Sequence, residues 1–247
     1  MGIGLQARFI YRALRARFRD QTAELKAIRA HVRPGDTVCD VGANKGSYLF
    51  WLSRWCPGGL VVAFEPQPLL LDYLTTVRDS LKLGNVRVEP RAAFSSSGTM
   101  DLFVPFDRAP GASLNRRILE GDDCKTIAVK TVALDDYFAP GQKIALLKID
   151  VEGAELDVLK GAERILRESA PLLVFECENR HLEKGTVNDV FSYIFALGYS
   201  GSFICGRRLL PIAQFDAAKH QRQDDTEFWK SPGYCNNFVF SAAVTPV

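Results

Sequence analysis

The sequence predicts an α/β fold built on a mostly parallel sheet with helices on both faces, and three stretches carry that expectation. Val38-Cys39-Asp40-Val41-Gly42-Ala43-Asn44-Lys45-Gly46-Ser47 reads as a short buried strand that breaks into a glycine turn and then enters a helix. Leu60-Val61-Val62-Ala63-Phe64 is an unbroken apolar run closed by Glu65-Pro66, as expected of a strand covered on both faces. Ile144-Ala145-Leu146-Leu147-Lys148-Ile149 repeats the pattern and closes on Asp150-Val151-Glu152-Gly153. Strands alternating with helix-length segments give the βαβ rhythm of a parallel sheet.

Residues 1–33 are basic, with Arg8, Arg12, Arg15, Arg17, Arg19, Lys26, Arg29 and Arg33 against Asp20 and Glu24. Leu5, Phe9, Leu14, Phe18, Leu25 and Ile28 fall near helical spacing, which predicts one or two amphipathic helices. These helices are expected to cover the domain with their arginines solvated; contact with a membrane surface or an anionic substrate is the competing reading. Pro34-Gly35 then marks the start of an α/β domain over residues 34–247.

A core helix is expected over residues 47–54, stopped by Pro57-Gly58-Gly59. After the second strand, Leu70, Leu74, Val77 and Leu81 mark one face of a helix that Gly84-Asn85 ends. Val86 and Val88 alternate with polar neighbours as a third strand, leading into Ala92-Ala93. Residues 99–104 and 126–132 look like the two arms of an inserted hairpin, and the polar stretch Gly111-Ala112-Ser113-Leu114-Asn115-Arg116-Arg117 between them suits a substrate wall or a plain connection. One helix is expected over residues 154–168, then a strand at Leu172-Leu173-Val174-Phe175-Glu176-Cys177. Thr186 and Asp189 form a capping box before a helix with Val187, Val190, Phe191, Ile194 and Phe195 inward, closed by Gly198. Two last strands, residues 199–205 and 237–242, flank a polar stretch over 214–231.

Composition narrows the class of partner. The chain is 47% hydrophobic and 24% charged, as globular proteins are, and its formal net charge of +2 argues against nucleic acid as a partner. Six cysteines (Cys39, Cys56, Cys124, Cys177, Cys205, Cys235) are scattered, with no Cys-x-x-Cys pair and no histidine at zinc-ligand spacing. Reduced, mostly buried thiols in a cytoplasmic protein are therefore expected, with no metal centre. No apolar run reaches the length of a membrane span, and Met1-Gly2-Ile3-Gly4-Leu5 lacks a secretory core.

Ligands of open α/β sheets bind beyond the carboxyl ends of the strands, and those ends carry acids and small residues here. A dinucleotide loop wants glycine at its first, third and sixth positions, whereas Gly42 is followed by Asn44 in the third place and Gly46 in the fifth. That spacing points to a sulfonium nucleoside cofactor rather than NAD. Asp40 is expected to reach its amino group, free N–H groups at the helix start to face its anionic part, and Glu65 to accept both ribose hydroxyls.

Lys148-Ile149-Asp150-Val151-Glu152-Gly153-Ala154-Glu155, together with Asp40-Val41-Gly42-Ala43-Asn44-Lys45-Gly46, Phe64-Glu65-Pro66 and Leu134-Asp135-Asp136, resembles the FkbM family of S-adenosylmethionine-dependent methyltransferases. The similarity runs over residues 38–198, and Asn237-Phe238-Val239-Phe240 is similar to the family's closing strand. The resemblance implies a class I, Rossmann-like methyltransferase fold of seven strands, and O-methylation of a small molecule or glycan, of sugar or polyketide type. It implies cofactor contacts from Asp40, Gly42, Asn44, Gly46, Glu65, Ala92, Ala93 and Asp150, and singles out Asp150 and Glu152 in the site. A base for the acceptor hydroxyl has five candidates at the strand ends: Asp150, Glu152, Glu176, Glu178 and His181. Residues 1–30 and 207–231 carry no family motif and are expected to hold substrate-specific parts, with Arg116, Arg117, Trp229 and Tyr234 as further acceptor-lining candidates. Two other classes compete: an NAD-dependent oxidoreductase, and a non-catalytic binding module recruited to membranes by its basic N-terminus.

Overall fold

The computed structural model describes residues 2–105, 112–114, 124–224, 226–231 and 233–242. The described strands, in chain order, are β1 (Thr37–Val41), β2 (Leu60–Phe64), β3 (Val86–Glu89), β4 (Ala92–Ala93), β5 (Gly98–Pro105), β6 (Cys124–Val132), β7 (Leu146–Ile149), β8 (Leu172–Glu176), β9 (Tyr199–Cys205), β10 (Arg208–Pro211) and β11 (Asn237–Ala242). The α-helices are α1 (Gly2–Arg15), α2 (Thr22–His31), α3 (Leu49–Trp55), α4 (Pro68–Ser80), α5 (Leu134–Tyr137), α6 (Glu155–Lys160), α7 (Glu163–Ser169), α8 (Val187–Ala196) and α9 (Ala217–His220).

The main sheet has eight strands in the order β10-β9-β11-β8-β7-β1-β2-β3, not the seven expected. Neighbours from β3 to β8 run parallel, while β11 is antiparallel to both β8 and β9, and β10 to β9. The extra strand is β10. Gly206, at φ 62°, opens a tight turn that pairs Cys205 with Arg208, and a short edge strand ending in Pro211 carries neither alternation nor an apolar run to announce it. A separate three-stranded sheet, β4-β6-β5, contains the inserted hairpin, with β5 and β6 antiparallel from Gly98↔Thr131 to Pro105↔Cys124.

Side chains of a strand alternate between faces, so each central strand feeds two cores. Cys39, Val41, Val62, Phe64, Leu147, Ile149, Leu173 and Phe175 pack against Val158, Leu159, Ile165, Leu166, Val190 and Ile194 of α6, α7 and α8. Val38, Val61, Ala63, Leu146 and Val174 face the other way, into Phe9, Ala13, Leu25, Ile28, Leu49, Leu52, Leu74 and Val77 from α1 to α4. The N-terminal segment thus contributes to the core, and no gap in packing falls at residue 33. Trp51 Nε1 donates to Ala13 O at 2.8 Å, Gln6 Nε2 to Ser80 O at 3.0 Å and Arg12 to Tyr73 Oη at 2.8 Å. Between α1 and α2 the chain makes a π-helical turn, Ala16–Asp20, whose spacing of five brings Arg15 onto Asp20 at 2.6 Å. Among the described residues no helix is long and apolar enough to cross a membrane.

The single helix expected over residues 154–168 is two, α6 and α7, broken at Gly161-Ala162. A Cβ on Gly161 would lie 2.0 Å from Phe94 O, so backbone passes where a side chain would stand. Asp135 then caps the restarted helix from a distance, accepting from Arg164 N at 2.7 Å and Ile165 N at 3.0 Å. Asp135→Ala is expected to lower unfolding stability by about 1–2 kcal/mol in urea titrations, the worth of a lost N-cap.

Candidate active site

A cavity of about 830 Å³, open solvent at its mouth included, lies beyond the carboxyl ends of β1, β2, β7 and β8. Gly42 and Asn44 line it from the glycine loop, Glu65 from the end of β2, Ala92 and Ala93 from β4, and Asp150, Glu152 and Glu176 from the ends of β7 and β8. The second sheet supplies an apolar wall through Leu102, Ala112 and Leu114. Ser113 ties that wall down: it exchanges backbone hydrogen bonds with Phe103 at 2.8 and 3.0 Å, and its hydroxyl donates to Glu152 O at 2.6 Å. Arg116, Arg117 and Gly111 lie outside the described residues.

Gly42 sits at φ 77°, and a Cβ there would come within 1.8 Å of Asp150 O, so only glycine lets the loop close on β7. Four amides of the loop are occupied by the protein itself. Gly42 N and Ala43 N both donate to Phe64 O at 3.0 Å, Asn44 N to Glu65 Oε2 at 2.8 Å and Gly46 N to Ala43 O at 2.7 Å. Gln67 N donates to Glu65 Oε1 at 3.0 Å. Two backbone donors thereby aim the Glu65 carboxylate while leaving each oxygen a further lone pair for ligand hydroxyls. Burial raises its pKa to about 7 against those hydrogen bonds.

Asp40 does not reach this wall. It pairs in register with Lys148 on β7, and alternation turns both side chains toward the α1–α4 face, one residue beneath the sheet edge. Lys148 Nζ lies 3.7 Å from Asp40 Oδ1 and 3.1 Å from Asp150 Oδ2, with the Tyr48 ring centroid 4.9 Å away. Burial draws the lysine pKa down, but Asp150 and Asp40 outweigh it and hold the ammonium above its ordinary value. Burial pushes the Asp40 carboxyl up, and both its oxygens lack a hydrogen-bond partner. Gly46 is also away from the wall: it sits at φ 72° where a Cβ would press on Leu74 and Phe9 at 2.9 Å.

The loop after β7 is held in strain. Glu152 occupies the left-handed region at φ 53°, as does Asn44 at 48°, a conformation that costs a non-glycine residue roughly 1–2 kcal/mol. His181 Nδ1 lies 2.9 Å from Glu152 Oε2, so the histidine stands behind the glutamate and off the cavity wall. Glu155, buried at the start of α6, accepts from Gly153 N at 2.9 Å, and burial pushes its pKa up to about 7. At the end of β8, Asn236 Nδ2 donates to Glu176 at 2.7 Å and Glu178 at 3.0 Å. Burial, with Asp150 and Glu152 adding like charge, drives the Glu176 pKa well up. Burial acts the same way on Glu178, yet hydrogen bonding from Arg180, the nearby His181 and a hydrogen bond from Tyr234 reverse it, and its pKa falls. Trp229 is half exposed and lies off the cavity wall.

The structure therefore gathers Gly42, Asn44, Glu65, Ala92, Ala93, Asp150, Glu152 and Glu176 on one wall and leaves Asp40, Gly46 and His181 one layer behind it. Sequence reasoning assigned no role to Lys148, Glu155 or Gln67. A lysine inside an otherwise apolar strand was the available signal for the first. Four carboxylates and no lysine or arginine line the cavity among the described residues. A cationic sulfonium nucleoside with vicinal hydroxyls suits such a wall; the pyrophosphate of a dinucleotide would meet acids and occupied amides, which removes the NAD alternative.

Glu24, on α2 facing Lys148, is pushed by burial to about 7, as are Glu65 and Glu155. These carboxyls titrate near 4.3 in an unfolded chain, so between about 4 and 7 the folded state binds more protons. Their contribution to stability is full below the unfolded value and is lost as pH rises through about 7. Thermal melts of the ligand-free chain are expected to show a higher Tm near pH 6 than near pH 8, and Glu→Gln at the three positions together to flatten that slope.

The family model described as "Methyltransferase FkbM domain" matches residues 40–200. The chain is 32% identical over 186 residues to 31-O-demethyl-FK506 methyltransferase FkbM of Streptomyces tacrolimicus, covering 64% of this chain and 69% of that protein. It is 32% identical over 171 residues to hexuronic acid methyltransferase AglP of Haloferax volcanii, covering 66% and 67%. Among solved structures, a methyltransferase FkbM from Methylobacillus flagellatus KT superposes with a TM-score of 0.52 at 18% identity, a likeness of fold alone. The match covers 96% of this chain, which spans about half (54%) of that larger one.

Proposed function

We propose, on the premise that this chain belongs to the FkbM family of methyltransferases, that it methylates a hydroxyl of a sugar or polyketide-type small molecule or glycan. Family membership makes it an S-adenosylmethionine-dependent enzyme. The observation that carries the reading is the wall of four carboxylates, Glu65, Asp150, Glu152 and Glu176, without a basic residue. Two relatives named for a hexuronic acid and for 31-O-demethyl-FK506 support an acceptor of this class.

Glu65, aimed by Asn44 N and Gln67 N, accepts the ribose hydroxyls, and the small side chains of Ala92 and Ala93 leave room for the base against Leu102 and Leu114. S-adenosylmethionine supplies a methyl made electrophilic by its sulfonium, and the acceptor oxygen must approach in line. Lys148 holds one oxygen of Asp150, leaving the other to take the hydroxyl proton as the oxygen attacks. Glu152, fixed by His181, orients the acceptor; His181 acts through it as a positioning residue. Transfer would leave a neutral thioether and a protonated Asp150, which regains its charge when the proton passes to solvent. Nucleic acid suits the site poorly, since its phosphates would face the same acids. The buried thiols of Cys39, Cys56 and Cys177 support a reducing, cytoplasmic setting.

Calorimetry is expected to show binding of S-adenosylmethionine and S-adenosylhomocysteine and none of NAD; the reverse pattern overturns the reading. Glu65→Gln should weaken S-adenosylhomocysteine by about 10–100-fold, the worth of hydrogen bonds to a charged acceptor. Asp150→Asn should cut S-adenosylhomocysteine formation with a panel of sugar and polyketide alcohols by about 100-fold or more while cofactor affinity changes little. A comparable loss of affinity in Asp150→Asn would move that residue from proton transfer to cofactor binding.

A further inference from the structure

We infer that the N-terminal helical segment forms part of the acceptor site: a second cavity, bounded by Gln21, Glu24, Tyr48, Lys148, Asp150 and Glu176, takes the non-reacting ring of an acceptor rich in hydroxyls or bearing an amine, and disfavours a carboxylate. This rests on the methyl-transfer reading above and names its substrate class.

The cavity encloses about 580 Å³, its opening included, between α2 and the carboxyl edge of the sheet. Asp150 and Glu176 line both this space and the cofactor cavity, so they form the partition at which two ligands would meet. Two-substrate transfer needs such an arrangement, because the acceptor oxygen has to reach the methyl while the rest of the acceptor lies elsewhere.

The lining sets the acids Asp20, Glu24, Asp150 and Glu176 beside the amides of Gln21 and Asn237. Gln21 Oε1 is buried without a partner, and Glu24 is only 5% exposed. Lys148 is the cation of this lining, and it is committed to Asp40 and Asp150. Buried acceptors left unmatched cost free energy until a ligand brings N–H or O–H groups to them. Hydroxyls or an ammonium do so; a carboxylate would add negative charge beside the Asp150 and Asp40 pair that Lys148 already serves. The roof is also built for its place. The π-helical turn ends the first helical run at Asp20, which Arg15 and Arg19 clasp at 2.6 and 2.8 Å, and restarts the chain so that Gln21 and Glu24 come over the cavity. Gln21 and Glu24 precede the region that the family model matches, residues 40–200, so this half of the site belongs to the chain rather than to the shared scaffold.

Saturation-transfer NMR on the full chain loaded with S-adenosylhomocysteine tests this with methyl glucoside, methyl glucosaminide and methyl glucuronide as probes. The first two are expected to receive saturation and the glucuronide not. Gln21→Leu and Glu24→Gln should each reduce the signal several-fold while calorimetric affinity for S-adenosylhomocysteine stays within about twofold of wild type, which also certifies the fold. A stronger signal from the glucuronide, or none from any of the three, overturns the inference. So does loss of S-adenosylhomocysteine affinity in these variants with the glycoside signal intact, since the cavity would then hold the amino-acid end of the cofactor. Failure of the wild-type chain to bind S-adenosylhomocysteine, visible before any glycoside is added, would remove the methyl-transfer reading and this inference with it.

Discussion

One buried ammonium group, that of Lys148, allows the carboxyl edge of this sheet to hold its acids. It is the only lysine or arginine in the buried set among the described residues, and it stands between Asp40 and Asp150 with Glu176 and Glu24 nearby. Taking an ion out of water costs several kcal/mol even after relaxation, and like charges gathered together add to it. The lysine offsets part of that cost at the point where β1 and β7 pair. The protein thereby keeps Glu65, Asp150, Glu152 and Glu176 around one cavity, where the positive charge of the proposed cofactor would add to that of Lys148.

Around that centre the protein divides rigidity from variation. The parallel strands and the glycine loop are locked by close backbone approach at Gly42 and by hydrogen bonds that use up the loop amides. Asn44 and Glu152 are held in left-handed conformations on either side of the cavity, strain that a tightly determined surrounding can sustain. The elements that close the space come from elsewhere in the chain: the hairpin wall at Leu102, Ala112 and Leu114, and the helices before β1. A common reaction centre with separately supplied walls is how one scaffold serves different acceptors.

Local signals were enough for most elements. Apolar runs marked β2, β7 and β8, alternation marked β3, and Thr186 with Asp189 marked the start of α8, where Thr186 N donates to Asp189 Oδ2 at 2.6 Å. The reading departed from the structure at one helix and one edge strand. The break between α6 and α7 comes from the approach of Phe94 to Gly161 and the reach of Asp135. The short strand β10 exists because β9 offers it an edge.

The sequence by itself determined that acids and small residues end the strands of a parallel sheet, because strand length, turn chemistry and the order of βαβ units are written locally. From that order the cofactor class was legible, and of the residues expected near it Gly42, Asn44, Glu65, Ala92, Ala93, Asp150 and Glu152 line one cavity. Tertiary structure alone decided which of those ends face the cavity. Asp40 lies two residues from Gly42, yet the pleat turns it away from the wall and onto Lys148. His181 meets Glu152, and Glu24 meets Lys148, across spans that no periodicity connects. Facing direction depends on the register between strands, and contact depends on packing between layers; both are properties of pairs far apart along the chain, which a linear pattern does not encode.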